Sequence, residues 1–399
     1  MEQNNRSSAL DGVKILDFTR LIPGPFGTQV LADFGADIIK VEDLGAGDYT
    51  RHLPPMRKEI GAFFYAFNRN KQSLRLNMKS EKAREIIARL VGQGGYDVVI
   101  EGFRPGVAAK LGIDYATLSQ ISDRVITASL PGFGSGSSKA TEAAHDLSAL
   151  AMSGILATGG HPESGPAIMG IQVDDLVSGL YLAIGVLSAV LHRQRTGQGQ
   201  HVEVAMADAA IALNAAALIG AAVTGQNEGF REHVLTGRCV CYQIYRTADN
   251  RYLSFAAVEP KFWINACDAM GLPELYNLQF DEAVKGNETF EKIREIIAGK
   301  SLSRWREVFD GVDACVEPVA TQQEALADEY FRKQGMVREF EHETEGVLPI
   351  IAQPIQMEKT PQSVRLLPQL PGEQNRLILQ SVEYSASEID ELIAAGVIA

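Results

Sequence analysis

The first third of the chain alternates short apolar runs with segments whose apolar residues recur at helical spacing. This pattern predicts strands and intervening helices at residues 13–18, 26–34, 38–41, 81–90, 98–100 and 125–130. Such alternation is typical of parallel strands joined by helical crossovers, so we expect an α/β domain. The loop after the first strand reads TRLIPGP. It lacks the GxGxxG of a dinucleotide cradle, and the chain contains no P-loop motif.

The pattern changes after this domain. Two apolar stretches, residues 176–191 and 209–224, fall below the roughly 20 apolar residues of a membrane span, so we expect buried helices. Beyond them, residues 240–245 and 252–258 flank a turn and predict a hairpin. Helices are predicted at residues 261–270, 290–298 and 303–309, which indicates a smaller α+β domain. Near the C-terminus, Ser387 and Asp390 predict the start of a final helix.

Charge narrows the range of partners. The 399 residues include 37 Lys plus Arg and 50 Asp plus Glu, a formal net charge of −13. This balance argues against a nucleic-acid binder and against a basic membrane-surface protein, since both need clustered cations. A small polyanionic ligand stays compatible with it. The N-terminus lacks the pattern of a signal peptide, and the four cysteines form no CxxC pair, so we expect a cytoplasmic protein.

A few polar residues stand where chemistry is plausible. The seven histidines show no metal-ligand spacing, and neither a GxSxG elbow nor a nucleophilic cysteine motif occurs, so no metal site is predicted. His145 begins one apolar helix, and Asp174 with Asp175 begins the next. Glu259 follows a predicted strand. From the residues alone, helix capping, a structural histidine and a loop carboxylate are better explanations of these positions than catalysis is.

A series of motifs in order identifies a family. They read LDGVKILDFTRLIPGPFGTQVLADFGADIIKVE, NRNKQSLRLNMKS, VVIEGFRPGV, SLPGFG, AAHDLSALAMSGIL, VLHRQRTGQGQHVEVAMADA, YRTADNRYLSFAAVEPKFW and FDGVDACVEPV. From about Leu10 to the C-terminus the chain resembles the class III CoA-transferases, and within them it is especially similar to the α-methylacyl-CoA racemases. The resemblance implies a discontinuous Rossmann-like large domain (residues 1–215 and 335–399), a small α+β domain (225–330) and an interlocked homodimer.

The resemblance also implies roles for particular residues. Asp175 corresponds to the acyl-CoA aspartate, His145 to the racemase base, and Glu259 to the glutamate that hydrogen-bonds this base. The CoA-contacting positions correspond to Leu76, Lys79, Gly102, Phe103, Arg104, Lys110 and Gly132. No cofactor beyond the CoA moiety of an acyl-CoA substrate is implied.

Two departures from the family pattern stand out. Asp174 occupies a position that is usually Gly or Ala. Asp43 replaces an arginine that contacts the nucleotide in many relatives, and we expect Arg51 or Lys71 to compensate for it.

Two reactions fit these residues. Epimerisation at C2 of a 2-methylacyl-CoA needs a base on each face of C2, roles that His145 and Asp175 would take, with Glu259 orienting His145. The alternative is CoA transfer to a free carboxylic acid through a mixed anhydride on Asp175, which needs no opposing base. Because members that only transfer CoA commonly lack the His/Glu pair, the sequence favours epimerisation. A non-catalytic CoA-binding module would not need all three polar residues.

Overall fold

The protein, a computed structural model that describes residues 8–399, divides into two compact units. Unit 1 comprises the described part of Met1–Ser153 together with Met169–Leu213 and Arg332–Ala399. Unit 2 comprises Gly154–Ile168 and Asn214–Phe331. The sequence places residues 154–168 in the large domain, whereas in the structure they belong to unit 2.

The regular elements are numbered in chain order. The strands are β1 (Lys14–Asp17), β2 (Asp37–Glu42), β3 (Lys71–Arg75), β4 (Val98–Glu101), β5 (Ile126–Ser129), β6 (Gly160–His161), β7 (Gly165–Pro166), β8 (His201–Glu203), β9 (Tyr242–Arg246), β10 (Tyr252–Ala256), β11 (Val316–Pro318), β12 (Val337–His342) and β13 (Gly346–Ile351). The helices are α1 (Pro23–Asp33), α2 (Ala62–Phe67), α3 (Glu81–Gly92), α4 (Val107–Leu111), α5 (Tyr115–Leu118), α6 (Asp146–Met152), α7 (Ile155–Thr158), α8 (Val173–Thr196), α9 (Met206–Leu213), α10 (Ala215–Thr224), α11 (Pro260–Met270), α12 (Glu288–Ala298), α13 (Leu302–Phe309), α14 (Gln322–Ala327), α15 (Glu329–Lys333), α16 (Asn375–Gln380) and α17 (Ala386–Ala394).

A parallel six-stranded sheet in the order β3-β2-β1-β4-β5-β8 forms the centre of unit 1. Apolar residues of α1 and α8 cover one face, and those of α3, α16 and α17 cover the other. Because both faces are buried, the central strands are almost continuously apolar. The predicted α/β class with a Rossmann-like parallel sheet is confirmed.

Helix α8 lies against α1 at a close backbone approach. A Cβ on Gly27 would overlap the carbonyl oxygen of Gly179, and a Cβ on Gly179 would overlap that of Pro23. Glycine is therefore required at both positions. At 24 residues α8 is long and apolar enough to cross a membrane, but half of its most apolar window is buried in protein. Core helices commonly share these properties.

Buried polar contacts tie the C-terminal segment to the start of the chain. The Asp33 carboxylate pairs with Arg69 at 2.7 Å, and it also accepts hydrogen bonds from the side chains of Asn70 and Gln353. The Asn70 side chain donates to the carbonyl of Ser363. These contacts explain why residues far apart in sequence build one unit.

Unit 2 contains the three-stranded antiparallel sheet β11-β10-β9. Residues of α11, α12 and α13 form a core with it that includes both tryptophans of the chain, Trp263 and Trp305, each fully buried. The hairpin β9–β10 and these three helices are those predicted. Tryptophan fluorescence therefore reports on unit 2 alone.

The structure differs from the predicted elements in several places. Strands β3 and β8 complete the sheet but were not predicted, and the second apolar stretch consists of two helices, α9 and α10. The cap of the final helix lies two residues earlier than expected, with Ser385 and Glu388 in a reciprocal capping box, so the predicted cap at Ser387 is wrong. The side chains of Ser385 and Glu388 each accept a hydrogen bond from a backbone N–H group that would otherwise be unpaired.

Candidate active site

A cavity of about 590 Å³ opens at the carboxyl ends of β1, β2 and β4. This is the edge at which open α/β sheets bind ligands. The cavity is lined by Phe18, Arg20, Val41, Asp43, Leu44, Gly45, Asn77, Met78, Lys79, Phe103, Val107 and Leu111. Its wall combines apolar side chains with the cationic groups of Arg20 and Lys79, so it suits a ligand with an apolar body and negative charge.

Arg20 contacts two aromatic rings and one carboxylate in this cavity. Its guanidinium lies 5.6 Å from the centre of the Phe103 ring and 5.7 Å from that of Tyr49. It also lies 3.5 Å from the Asp43 carboxylate. Sequence reasoning missed Arg20, although its position directly after β1, at the carboxyl edge of the sheet, is a usable signal.

The other predicted binding residues are spread around this edge. Lys79 and Phe103 line the cavity, whereas Leu76 is fully buried. Gly102 follows β4, and Arg104 and Lys110 are exposed and do not line the cavity. Gly132 follows β5 and packs against Ala144.

The two residues expected to compensate for Asp43 do not reach the cavity. Arg51 is buried and paired with Glu42 at 2.6 Å. Lys71 is buried and paired with Asp17 at 3.1 Å. Since each neutralises an internal carboxylate, that expectation is wrong, and Arg20 is the cation beside Asp43.

A second group of polar residues forms where the starts of α6 and α8 meet. Gln172, the N-cap residue of α8, does not cap the helix with its side chain. Instead, the Asp146 Oδ1 atom accepts hydrogen bonds from the backbone N–H groups of Asp174, at 2.7 Å, and Asp175, at 3.3 Å. Asp146 thereby satisfies the unpaired donors of the first turn of α8 from another helix.

The two aspartates of this turn are deeply placed. Asp174 is fully buried, and Asp175 is 9% exposed. Burial raises the pKa of Asp175 to about 7, and the negative charge of Asp146 acts in the same direction. Burial also raises the pKa of Asp174 to about 7, with further contributions from the charges of Asp175 and Asp146. Carboxyls that titrate near neutral pH are typical of active sites.

His145 lies beside this group, and Glu259 lies in unit 2. His145 is the exposed residue immediately before α6, and its backbone N–H donates to the Ser148 hydroxyl. His145 and Asp175 are thus at adjoining helix starts that share Asp146. Glu259 is the exposed residue immediately before α11.

One further carboxyl at the sheet edge was missed by sequence reasoning. Glu101 ends β4, is buried, and accepts a 2.5 Å hydrogen bond from the Phe103 N–H. Burial raises its pKa to about 7 against the lowering effect of that bond. Among residues 8–399, no three His, Cys, Asp or Glu side chains gather in a way that could hold a metal ion.

Comparison with known proteins adds a consistent set of relatives. Residues 10–375 match the model of CoA-transferase family III. The chain is 30% identical to human succinyl-CoA:glutarate CoA-transferase, with 99% of this chain and 91% of the relative covered. It is 31% identical to formyl-CoA:oxalate CoA-transferase of Bradyrhizobium diazoefficiens, with 98% of each covered. A CAIB/BAIF family protein from Brucella suis superposes with a TM-score of 0.82 at 27% identity, over 95% of this chain and 100% of the other.

The buried carboxyl of Asp174 has a measurable cost for stability. Its folded pKa of about 7 exceeds the ordinary 3.8, so stability falls as pH rises from about 4 to 7. Because Asn cannot ionise, the stability of Asp174→Asn does not fall in this way as pH rises. We expect the variant to gain stability over the wild type across that range, reaching a few kcal/mol, at ~1.4 kcal/mol per pKa unit.

Denaturation followed by circular dichroism at several pH values measures this difference. Asp208→Asn, which removes an exposed carboxyl in the first turn of α9, is the matched control and should follow the wild type. A constant difference between the two proteins from pH 4 to pH 8 would contradict a buried, titrating Asp174.

Proposed function

Because the chain belongs to CoA-transferase family III, we propose that it moves CoA from an acyl-CoA to a free carboxylic acid, with Asp175 carrying the acyl group. The observation that carries this proposal is the Asp175 carboxyl itself. It is nearly enclosed, and its pKa is raised by burial. The family resemblance supports the proposal, since it implies that Asp175 corresponds to the acyl-CoA aspartate. The relatives named for CoA transfer match almost the full length of the chain.

The reaction would proceed by four successive nucleophilic acyl substitutions. An Asp175 oxygen attacks the thioester carbonyl, the C–S bond breaks, and CoA leaves as a thiolate with the electron pair, which yields a mixed anhydride. The thiolate attacks the aspartyl carbonyl and releases the first carboxylate. The acceptor carboxylate then attacks the aspartyl-CoA thioester and displaces the thiolate. Finally the thiolate attacks the new acyl carbonyl and restores the Asp175 carboxylate.

The surroundings of Asp175 suit this chemistry. A carboxylate with a raised pKa is more basic, and therefore more nucleophilic, than an exposed one. An anhydride is easily hydrolysed, and the low exposure of Asp175 limits the access of water to it. Backbone N–H groups at the start of α8 favour negative charge nearby.

Epimerisation at C2 of a 2-methylacyl-CoA is the second candidate, and one observation favours it. His145 and Asp175 lie at helix starts that Asp146 joins, so two proton-transferring groups occur together. In this reaction one group removes the α-proton, the thioester oxygen carries the resulting enolate charge, and the other group returns a proton from the opposite face.

The two reactions give different results in one set of assays. For transfer, we expect hydroxylamine to trap acylated Asp175 during turnover, Asp175→Asn to lose at least ~10³-fold in rate, and His145→Ala to retain most activity. For epimerisation, we expect His145→Ala to abolish interconversion of the two C2 epimers, and to abolish exchange with deuterated water only for the epimer whose C2 proton faces His145. Exchange without CoA movement to any offered acid would overturn the transfer proposal.

We place the nucleotide end of CoA in the cavity at the sheet edge. Its phosphates would meet Arg20 and Lys79, and its adenine would lie among the apolar side chains there. The exposed Arg104 and Lys110, on the loop after β4 and on α4, would add charge at the rim.

Removing the Arg20 guanidinium should weaken this binding. A hydrogen bond to a charged group contributes ~1.5–3 kcal/mol, so we expect Arg20→Ala to raise the dissociation constant for CoA about tenfold or more. Titration calorimetry measures this, with the exposed Arg376→Ala as a control. Arg104→Ala is expected to raise the KM for acyl-CoA. An unchanged affinity in Arg20→Ala would show that the phosphates bind elsewhere.

We also propose that the chain forms a homodimer through α8. Leu180, Ile184 and Leu191 lie on one face of this helix and are 42%, 58% and 62% exposed. Such a stripe of large apolar side chains is typical of a surface that another chain covers. The resemblance to a family of interlocked dimers supports a second copy of this chain as the partner.

Light scattering coupled to gel filtration tests the dimer. The wild type is expected at twice the chain mass of 43.3 kDa. Ile184→Glu with Leu191→Glu would place two charges in the interface, so we expect loss of the dimer or of folded protein. Gln93→Glu, an exposed position at the end of α3 on the other face of the sheet, should stay dimeric. A wild type with the mass of one chain would contradict the proposal.

A further inference from the structure

Asp174 is a buried carboxyl to which the proposed reactions assign no role. It is fully buried, and neither of its oxygens has a hydrogen-bond partner within residues 8–399. Its backbone N–H is engaged by Asp146, so only its carboxyl group is unsatisfied. A buried carboxylate without donors is very unfavourable, whereas the neutral acid costs much less.

The charges around Asp174 make its ionisation harder still. Its nearest charged neighbours are Asp175 on the same helix and Asp146 on α6, both negative. The other elements that pack on α8 carry the ionisable residues Asp33, His201, Glu203 and Asp208, and His145 precedes α6. Asp33 is neutralised by Arg69, and the arginines of α8 itself lie in its last turns. No cation therefore compensates a negative charge on Asp174 in the described residues.

We propose that Asp174 is a positioning residue that keeps its proton while Asp175 ionises, so that the two neighbouring carboxyls together carry one negative charge in the working enzyme. This inference rests on the proposed function, in which Asp175 is the reacting carboxylate. Asp175 retains some contact with solvent, whereas Asp174 has none, so the first proton to leave comes from Asp175. The charge on Asp175 then holds the proton on Asp174 more firmly.

A single charge suits the reaction. Acceptor carboxylic acids are anions at neutral pH, and the CoA thiolate is an anion during turnover. A doubly ionised pair would repel both and would raise the KM for the acceptor. The neutral Asp174 acid thus acts through Asp175, by keeping the site accessible to anionic reactants while Asp175 attacks.

Infrared spectroscopy tests the protonation directly and without turnover. At pH 6 we expect the wild type to show the carbonyl stretch of a protonated carboxylic acid that is lost in Asp174→Asn and that disappears as pH rises to 9. Glu101 and Asp175, whose pKa values are also raised to about 7, contribute to both spectra and cancel in the difference. Asp175→Asn should lower the pH at which the Asp174 band disappears, because the neighbouring charge is gone. Asp208→Asn, an exposed carboxyl in the first turn of α9, is the matched control.

The pH dependence of kcat/KM tests the consequence. We expect a bell-shaped profile for the wild type. The rate constant kcat/KM rises as Asp175 ionises and falls about tenfold per pH unit as Asp174 ionises. The fall should result from an increase in the KM for the acceptor. Asp174→Asn and Asp174→Ala cannot ionise there, so we expect each to keep the rising limb and lose the falling one. Circular dichroism of both variants checks that they fold, and either suffices for the comparison.

Two results would overturn this inference. One is the absence of a band that distinguishes the wild type from Asp174→Asn at pH 6. The other is an unchanged falling limb in folded Asp174→Asn and Asp174→Ala. If instead no CoA transfer occurs with any protein while the Asp174 band is present, the proposed function fails and the protonation of Asp174 stands.

Discussion

The carboxylate of Asp146 joins two helix starts, and the chemistry of the site depends on this contact. Helix α8 has no cap from its own N-terminal side chain, so its first N–H groups need an acceptor from elsewhere. One oxygen of Asp146 satisfies two of them. Burial raises the pKa of Asp174 and of Asp175 to about 7, and the negative charge that Asp146 brings to them acts in the same direction. The same contact sets His145 beside them. A cap that stabilises the helix therefore also contributes to the raised pKa of the two carboxyls in its first turn.

This arrangement requires a rigid support, which the two ends of the chain supply. Helix α8 is held against α1 by the close approach of Gly27 and Gly179, and both helices cover one face of the sheet. At the other end of α1, Asp33 is paired with buried Arg69, and removing one partner of such a pair typically costs ~3–5 kcal/mol. Residues of the C-terminal segment complete this network. The return of the chain to unit 1 thus helps to fix the helix that carries Asp175.

The sequence predicts most of the sheet because buried parallel strands are continuously apolar. It does not predict β3, because KQSLR is polar and its Lys71 is buried only through an ion pair with Asp17, which no local pattern reveals. The positions of Asp175 and His145 come from the family resemblance. The capping by Asp146 and the ring contacts of Arg20 could not be predicted, because each depends on elements distant in sequence. The expectation that Arg51 contacts the ligand failed for a similar reason, because its buried ion pair with Glu42 depends on tertiary structure that the sequence does not reveal.

The acidic character of the chain extends into the cavity at the sheet edge, where Asp43 corresponds, by the family resemblance, to an arginine of many relatives. The cost of this carboxylate is small because of how it is paired. Arg20 and Asp43 lie 3.5 Å apart with side chains 34% and 38% exposed, and exposed pairs of this kind contribute only ~0–1 kcal/mol. A phosphate that competes for Arg20 therefore displaces a weak partner, while Asp43 keeps the hydrogen bonds from the Gly45 and Gly47 N–H groups. Since those two bonds hold the loop after β2 without Arg20, the guanidinium is free to turn to the ligand. A chain of net charge −13 can in this way bind a polyanion through very few cations, provided that each is held by rings and loops and not by strong internal ion pairs.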